Sequence, residues 1–418
     1  MPDPGNPRSA LRALLDRVES ASPVQVVEVV ASELAALFGA GEVSFLIADF
    51  SGRAVFRMGR AQAGGVGTGG AGTRFPGAEQ VQLKGTVYEQ VLISQRVDVR
   101  TVDGTAQLTI PVTNRGDAIG LLQLDLPYHP DEDVVADLAT AGHALAYVVV
   151  ANRRHTDLFE WGQRSAPFSL AAEIQRRLLP SAFTCEAGQF TIAGWLEPAS
   201  SVAGDTFDYT LDQHSLQVSI TDAVGHDVAA AVLATVLVGS LRNERRRGAD
   251  LAVQVGNAND ALAEHSTTGQ FVTGQVLNVD LDTGVAMIVN AGHPLPLRLR
   301  DGRVEEVELE IDPPFGLAAG TAFRLQRFPL EPGDRIVFLT DGMVEREAEH
   351  TDPGDRLARS ARTHARQVVH ALGDAVMEAT GGDLRDDATV VCLDWHGGPP
   401  RPRLSSAGAD TGSGAPAT

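Results

Sequence analysis

Two spacings of apolar residues divide the first part of the chain into helices and strands. In residues 8–38 and 133–154, apolar side chains recur three and four positions apart, which predicts helices. Between them, Val43–Phe50 and Ala118–Leu126 are largely apolar runs bounded by turn residues, which predicts strands. The order of helix, strands, short helix, strands and long helix predicts one compact α+β domain over residues 1–150.

A helical pattern continues over residues 151–180 and predicts a linker between two domains. Leu158, Leu170 and Ile174 are among its apolar positions, and Pro180 ends it. Exposed apolar positions on such a helix pair with a second copy of the chain or pack on a neighbouring domain. We favour the first interpretation, which predicts a homodimer.

Strand patterns dominate residues 181–396 and predict a second domain. They are interrupted by a central pair of predicted helices, Asp227–Arg246 and Asp250–His265, and a later helix is predicted over Arg356–Ala379. Many antiparallel strands with these helices predict a β-sandwich that has helices on its outer faces. Residues 397–418 have few large apolar side chains and predict a disordered tail.

Composition and charge exclude several classes of protein. The 418 residues include 34 basic and 54 acidic side chains, a net charge of −20, which disfavours binding to nucleic acid or to anionic lipid. Cys185 and Cys392 are too few for a disulfide framework or a cysteine zinc site. No signal peptide is visible, and the nearly apolar stretch Ala229–Leu241 is shorter than the roughly 20 residues that span a bilayer. We therefore expect a cytoplasmic protein without membrane insertion.

Four aspartates stand beside strands in the second domain. Asp205, Asp222, Asp341 and Asp386 each lie next to a glycine or a polar turn at the flank of an apolar run. One such aspartate alone is a common turn residue. Four of them over about 180 residues point instead to a shared site for hard divalent cations, which prefer carboxylate oxygens. Because no cysteine or histidine pair has zinc spacing, Mn²⁺ or Mg²⁺ is favoured, and two such ions would share and activate a water.

These aspartates belong to a longer series of motifs in a fixed order. The series is Gln175–Pro180 (QRRLLP), Ala203–Asp208 (AGDTFD), Thr221–Asp227 (TDAVGHD), Asn290–Pro294 (NAGHP), Thr340–Gly342 (TDG) and Asp386–Thr389 (DDAT). In order and spacing, it resembles the SpoIIE/RsbU branch of the PP2C-like protein serine/threonine phosphatases. The resemblance covers about residues 170–395 and implies a PP2C-like α-β-β-α sandwich over residues 181–396.

The resemblance also implies roles for individual residues. Asp205, Asp222, Asp341 and Asp386 would be the catalytic metal carboxylates, with Asp222 bridging two Mn²⁺ or Mg²⁺ ions and the carbonyl of Ala223 as a further ligand. Asp208, His226, Asp387 and Gly342 would lie around them, and His293 would have a structural role. The implied reaction is hydrolysis of phosphoserine or phosphothreonine by metal-activated water, without a phosphoenzyme. The implied substrate is a phosphorylated anti-sigma-factor antagonist of the STAS fold.

Three positions depart from the family pattern. Ala203 and Asp227 replace glycines, and Thr206 stands where an aromatic residue is usual. Asp227 adds negative charge near an acidic centre, or caps the helix that follows. These departures keep a second reading open, in which the domain is a catalytically silent phosphatase fold that docks a regulatory partner. Since no metal carboxylate is lost, we favour the enzyme. A kinase is disfavoured because the chain has no phosphate-binding Gly-x-x-x-x-Gly-Lys loop.

The first domain resembles a GAF sensor domain in the order of its elements. The resemblance implies a small-molecule ligand, although a covalently held bilin is not supported because no cysteine precedes Cys185. Since the helical pattern is continuous between the domains, we expect a signal in residues 20–150 to reach the phosphatase through residues 133–178.

Overall fold

The computed structural model describes residues 16–62, 65–66, 79–164, 168–199, 204–225, 227–267, 269–343, 353–382, 384–399, 402–403 and 405–410. By its internal contacts the chain divides into two compact units. The first comprises residues 1–167 together with 405–411, and the second comprises residues 168–404 together with 412–418.

An antiparallel sheet with helices on both faces forms the first unit. In the described part of the chain the strand order is β3-β2-β1-β7-β6-β5, and β4 pairs with β2. The helices are α1 Val26–Phe38, α2 Val87–Ser94, α3 Glu132–Asn152 and α4 Leu158–Gly162, and the strands are β1 Glu42–Ala48, β2 Ala54–Gln62, β3 Gly65–Val66, β4 Gln80–Gln82, β5 Asp98–Val102, β6 Thr105–Asn114 and β7 Asp117–Leu126.

The two faces of this sheet bury different clusters. On one face, Phe45 and Leu108 pack with α1, α3 and α4, and on the other, Leu46 and Leu121 pack with α2. This division follows from the alternation of side chains along each strand. The predicted α+β order is therefore present, while a GAF-type identity stays a prediction.

Helix α3 is the longest helix that the structure describes in this unit. With the turn that follows it, Glu132–His155 is long and apolar enough to cross a membrane by length and composition alone, and 28% of its apolar window is buried. Its side chains Leu138, Leu145 and Val149 lie in the core of the first unit. The absence of membrane insertion stays a prediction.

The second unit is built on two antiparallel sheets. In the described residues their orders are β10-β11-β12-β13-β16 and β15-β14-β17-β18-β9-β8. The helices are α5 Leu170–Leu178, α6 Asp227–Arg246, α7 Leu251–His265, α8 Pro353–Arg359 and α9 Ala365–Ala379, and the strands are β8 Thr184–Glu186, β9 Phe190–Glu197, β10 Thr206–Leu211, β11 Ser215–Ala223, β12 Val272–Asp280, β13 Val285–Ala291, β14 Leu297–Arg300, β15 Arg303–Glu306, β16 Gln326–Pro329, β17 Arg335–Leu339 and β18 Ala388–Trp395.

The sheets face each other across an apolar core, and helices cover their outer faces. Phe207, Ile220, Ile288, Phe338 and Leu393 from both sheets form the central cluster. Helices α6 and α7 pack on the five-stranded sheet, and α9 packs on the six-stranded sheet. The predicted β-sandwich with outer helices is therefore present in the second unit.

The predicted single helix over Arg356–Ala379 is wrong, because α8 and α9 are separate. The guanidinium of Arg335 donates to the carbonyls of Ser360 and Thr363, which satisfies backbone groups in the break between the two helices. His364 then begins α9, since its ring nitrogen accepts from the amide of Arg366. A long-range contact with β17 thus interrupts a continuous helical pattern.

The two compact units divide within the predicted linker over 151–180. The division lies at residue 167, with α4 in the first unit and α5 in the second, and the predicted domain bounds stay predictions. The predicted tail begins with ordered contacts, since the carbonyl of Gly398 accepts from the amide side chain of Gln189. Backbone hydrogen bonds hold this segment although it lacks large apolar side chains. Residues 411–418 lie outside the described residues, so their disorder stays a prediction.

Candidate active site

The acidic residues come together at the ends of strands from both sheets. Asp205 precedes β10 and Asp222 lies near the end of β11, in the five-stranded sheet. Asp341 follows β17 and Asp386 precedes β18, in the six-stranded sheet. Because β17 and β18 are antiparallel neighbours, the end of one and the start of the other lie at the same edge.

Asp205 connects the two sheets. Its carboxylate is 2% exposed, and one oxygen accepts hydrogen bonds from the hydroxyls of Thr340 (2.7 Å) and Thr389 (2.6 Å). The hydroxyl of Thr340 in turn accepts from the amide of Thr389 at 3.0 Å. These threonines adjoin Asp341 and the Asp386–Asp387 pair, so they fix where the acidic residues of the six-stranded sheet stand relative to Asp205.

Burial and mutual repulsion raise the pKa values of the carboxylates at this site. Burial raises the pKa of Asp205 well above its usual range, and the charges of Asp222 and Asp387 raise it further, against the two threonine hydroxyls. Burial, together with the charges of Asp341, Asp386 and Asp387, raises the pKa of Asp222 to about 7. The fold thus brings these carboxylates close enough to oppose one another's ionisation.

Asp387 has a different environment from its neighbours. It is 1% exposed, and its oxygens accept from the amides of Ala199 (2.8 Å) and Gly204 (3.0 Å) and from the side chain of Gln175 (2.6 Å). Burial raises the pKa of Asp387, and these donors oppose the rise. Its carboxylate therefore anchors the segment that leads into Asp205.

Gln175 explains the motif that precedes the second domain. Its amide nitrogen donates to the carbonyl of Asp205 at 2.8 Å as well as to the carboxylate of Asp387. Helix α5, which carries Gln175, is thereby joined to the acidic centre. The motif in the sequence does not by itself indicate these contacts of Gln175, nor those of the hydroxyls of Thr340 and Thr389 with Asp205.

Two glycines allow the acidic segments to approach each other. A Cβ atom on Gly342 would lie 2.0 Å from the carbonyl oxygen of Asp387, and one on Gly204 would lie 2.5 Å from the carbonyl oxygen of Ala223. Real Cβ atoms do not approach oxygen so closely, so both positions require glycine in this arrangement. The backbone of Gly342 therefore lies against that of Asp387.

His293 supports the site from the neighbouring strands. It is 1% exposed, its ring Nδ1 lies 2.9 Å from the hydroxyl of Thr273, and burial lowers its pKa to about 3. Thr273 is the register partner of Asp222 in the β11–β12 pair. The amide of His293 is held by Asn290 at 2.9 Å. A neutral histidine locked in this way has a structural role, as predicted.

Asp208 contacts a helix beside its sheet. Its carboxylate forms ion pairs with Arg242 (3.0 Å) and Arg245 (3.4 Å) of α6. Phe207 lies in the core between the sheets, so the next residue, Asp208, lies on the opposite face, where α6 packs. These ion pairs hold α6 on the sheet, and the implied place of Asp208 around the metal carboxylates stays a prediction.

The departures from the family pattern have local explanations where the structure describes them. The buried hydroxyl of Thr206 lies 2.5 Å from that of Thr221, so a polar pair stands where an aromatic residue is usual. Asp227 begins α6 with φ +62°, a left-handed conformation that glycine adopts most easily and aspartate tolerates better than most residues. Ala203 and His226 lie outside the described residues.

The donor set fits a hard divalent cation. Asp341 is exposed and Asp222 and Asp386 are half-buried, so carboxylate oxygens face solvent beside the buried Asp205. Within the described ranges, no three His, Cys, Asp or Glu side chains are already grouped as metal ligands. Mg²⁺ commonly takes one or two carboxylates and keeps several waters, so it needs no such group. Asp205, Asp222, Asp341 and Asp386, with the carbonyl of Ala223, are the groups that would hold metal here.

Comparison with known families identifies the domain that contains most of this site. Residues 212–396 match the family model described as Stage II sporulation protein E (SpoIIE). Over these residues the chain is similar to the SpoIIE family. Asp222, Asp341 and Asp386 lie inside the matched segment, and Gln175 and Asp205 precede it.

Individual relatives align over a similar stretch. The chain is 22% identical over 239 residues to phosphoserine phosphatase RsbU of Bacillus subtilis, an alignment that covers 54% of this chain and 68% of RsbU. It is 24% identical over 186 residues to phosphoserine phosphatase RsbP of the same organism, covering 42% of this chain and 44% of RsbP. Among solved structures, the RsbU and RsbW domains of Rv1364c from Mycobacterium tuberculosis give a TM-score of 0.44 at 26% identity, covering 54% of this chain and 63% of that one.

A Gln175→Met variant tests the contacts that join α5 to Asp205 and Asp387. Removing both hydrogen bonds of a buried amide should lower the free energy of unfolding by about 1–3 kcal/mol. Since the amides of Gly204 and Asp205 also contact Asp387, the variant should in addition need a higher Mn²⁺ concentration for half-maximal stabilisation. Urea unfolding at a series of Mn²⁺ concentrations measures both quantities.

Gln189→Met is the matched control for this variant. Like Gln175, Gln189 is a buried glutamine whose side chain donates two hydrogen bonds. Its acceptors are the carbonyls of Leu281 and Gly398. It should lose a similar amount of stability in metal-free protein but keep the wild-type Mn²⁺ dependence. If both variants change the Mn²⁺ dependence equally, Gln175 has no particular connection to the site.

Proposed function

We propose that the protein is a divalent-cation-dependent phosphatase that hydrolyses phosphoserine or phosphothreonine in a protein substrate. The observation that supports it best is the convergence of Asp205, Asp222, Asp341 and Asp386 at one edge of two sheets, with the pKa of Asp222 raised to about 7. Such mutually repelling carboxylates cost stability unless a cation or a proton compensates them. The SpoIIE match gives this acidic centre a reaction class.

The chain's own residues would divide the work as follows. Asp205 is held by two hydroxyls so that one carboxylate oxygen remains for a metal, and Asp222, to which the resemblance gives the bridging role, would hold metal from the same sheet. Asp341 and Asp386, which are more exposed, would complete the set from the other sheet. When bound, Mn²⁺ or Mg²⁺ would activate the attacking water and offset the charge of the phosphate. Asp387 and Gln175 would keep the Asp205 segment in place.

A macromolecular substrate is supported by the surface beside this centre. Val224 follows Ala223 and is 37% exposed, and Val228 and Val232 on the first turns of α6 are 38% and 49% exposed. Val228 and Val232 are four residues apart, so they lie along one face of α6. Apolar side chains at the edge of a strongly acidic site favour contact with a protein over a free phosphate ester. In line with the resemblance, the proposed substrate is a phosphorylated anti-sigma-factor antagonist of the STAS fold.

Regulation by the first unit is part of the proposal. A GAF-like ligand in that unit, transmission through residues 133–178 and a cytoplasmic homodimer would together make the protein a sensor-controlled phosphatase. The silent binding module remains the alternative reading, and the presence of all four carboxylates favours the enzyme.

The first experiment measures phosphate release from a phosphoserine peptide and from a phosphorylated STAS-domain protein. The full-length chain is assayed with Mn²⁺, with Mg²⁺ and with EDTA, and beside it the Asp341→Ala variant. We expect cation-dependent release that falls to background in EDTA and in Asp341→Ala. If the wild-type protein binds Mn²⁺ by calorimetry and releases no phosphate from either substrate, the silent module is the correct reading.

A further inference from the structure

A short segment late in the chain is part of the first unit. The chain leaves that unit after residue 167 and re-enters it over residues 405–411, while residues 168–404 and 412–418 belong to the second unit. Residues 406–409 make a tight turn in which the amide of Ser406 donates to the carbonyl of Ala409 at 2.9 Å and the amide of Ala409 to the carbonyl of Ser406 at 3.2 Å. We name residues 405–410 the C-terminal clasp.

The clasp binds a surface made by the β6–β7 turn and α3. The carbonyl of Gly408 accepts a hydrogen bond of 3.0 Å from the amide of Gly116, which lies in that turn. His143 of α3 contributes the neighbouring wall, and its Nδ1 lies 2.8 Å from the carbonyl of Thr113. Ala409 is 1% exposed. A backbone hydrogen bond and a buried side chain thus fix the clasp against this surface.

The fit is close enough to select for small residues. A Cβ atom on Gly408 would lie 2.2 Å from the carbonyl oxygen of Thr113 and 2.4 Å from Nδ1 of His143. Gly408 also has φ +97°, and Ala407 has φ +49°. Position 408 has no room for a Cβ atom and has a positive φ, and only glycine meets both demands. The turn therefore fits this surface because its central residue is glycine.

The residues before the clasp are held in their own unit. Arg403 forms an ion pair with the buried carboxylate of Glu186, which also lies 3.0 Å from the ring Nε2 of His364. Gly397 donates to the carbonyl of Gln189 at 3.0 Å. The stretch 396–410 therefore makes specific contacts at intervals on both sides of residue 404, which a disordered tail does not.

We propose that the C-terminal clasp is an intramolecular ligand of the first unit, and that the surface formed by Thr113, Gly116 and His143 is a docking site for a tight turn of small residues. The proposal does not rest on the phosphatase activity. Because the clasp belongs to the same chain, its effective concentration at the surface is on the order of millimolar, so few contacts suffice to keep it bound. A change in the β6–β7 turn would then release the end of the chain.

Amide hydrogen exchange on the full-length protein tests this docking. In a Gly408→Val variant the added side chain meets the Thr113 carbonyl, so the clasp should leave and the amide of Gly116 should exchange at least about tenfold faster. Gly398→Val is the matched control, because Gly398 also has a positive φ of +79° but no atom within 4 Å of an added Cβ. It should leave Gly116 unchanged. Equal exchange at Gly116 in the wild type and in Gly408→Val would overturn the proposal.

A peptide added in trans separates release of the clasp from general damage to the unit. A synthetic peptide of residues 402–411 should bind saturably to the Gly408→Val protein and restore slow exchange at Gly116. The same peptide with valine in place of Gly408 should do neither. If the wild-type peptide does not bind the variant, or binds no better than its valine form, the surface is not a docking site for this turn.

Discussion

Asp222→Asn is expected to abolish cation-dependent phosphatase activity and, in metal-free protein at pH 8, to raise the stability of the second unit. The activity should fall by about 10³-fold or more, since Asp222 is the carboxylate proposed to contact both ions. The stability should rise by about 2–4 kcal/mol, because a pKa of about 7 in place of 3.8 means that the ionised group is disfavoured by the fold. One substitution would thus remove function and strengthen the fold.

The pH dependence fixes the sign of this effect. The folded protein holds a proton on Asp222 up to about pH 7, while the unfolded chain releases it near pH 4. Metal-free wild-type protein should therefore lose stability as the pH rises from about 4 to above 7, where the ionised carboxylate is repelled by Asp341, Asp386 and Asp387. The asparagine variant lacks this titration and should show a flatter profile.

Thermal unfolding between pH 5 and pH 8, in EDTA and in Mn²⁺, measures the effect. Mn²⁺ should raise the melting temperature of the wild type at pH 8 and have little effect on Asp222→Asn. Asp280→Asn is a suitable control, since Asp280 pairs with Ser215 at the other end of β11 and hydrogen bonds from Thr283 lower its pKa. That control should lose slightly in stability and keep its activity. A destabilised, metal-free Asp222→Asn protein at pH 8 would contradict the electrostatic account of the site.

Gly342→Ala should disrupt the site through the backbone alone. The new methyl group would stand 2.0 Å from the carbonyl oxygen of Asp387, so either the Asp341–Met343 turn or the start of β18 must move. The free energy of unfolding should fall by at least about 3 kcal/mol, as for overpacking against rigid neighbours. Since the turn carries Asp341 and the strand follows Asp386, phosphatase activity should fall by at least about 100-fold.

Gly239→Ala shows whether this loss is specific to the contact. Gly239 is exposed on α6, and an added Cβ would meet no atom within 4 Å. Alanine favours a helix over glycine, so this control should gain about 0.5–1 kcal/mol and keep its activity. Chemical denaturation and a phosphoserine-peptide assay on the three proteins provide the comparison. A Gly342→Ala protein as stable and active as Gly239→Ala would show that the two segments do not meet as described.

Local patterns predicted most of the second unit. The helix Asp227–Arg246 has the predicted bounds, because apolar periodicity and the turn residues before it determine them. The edge of the sheet at which the aspartates gather also follows from their positions beside strands. What local patterns do not contain are contacts between distant residues, such as that between Gln175 and Asp387, which lie 212 positions apart.

Contacts between distant residues also explain what the pattern of a single segment does not show. The position of Asp208 in its motif does not indicate that its carboxylate contacts Arg242 and Arg245, from a helix over 30 residues later. The break between α8 and α9 depends on Arg335, and the order of the C-terminal clasp depends on Gly116 and His143. In each case a partner far along the chain decides the conformation of a segment whose own sequence permits another.

The hydroxyls that hold Asp205 have a consequence for the time course of folding. Thr340 and Thr389 lie 135 and 184 residues beyond Asp205 in the chain. Loops of this length close slowly, and their closure costs entropy that only the finished sandwich repays. The acidic centre is thus completed among the last events of folding, after both sheets have met. In a refolding experiment, cation-induced protection should therefore develop in the slowest phase, and Mn²⁺ should slow unfolding far more than it accelerates refolding.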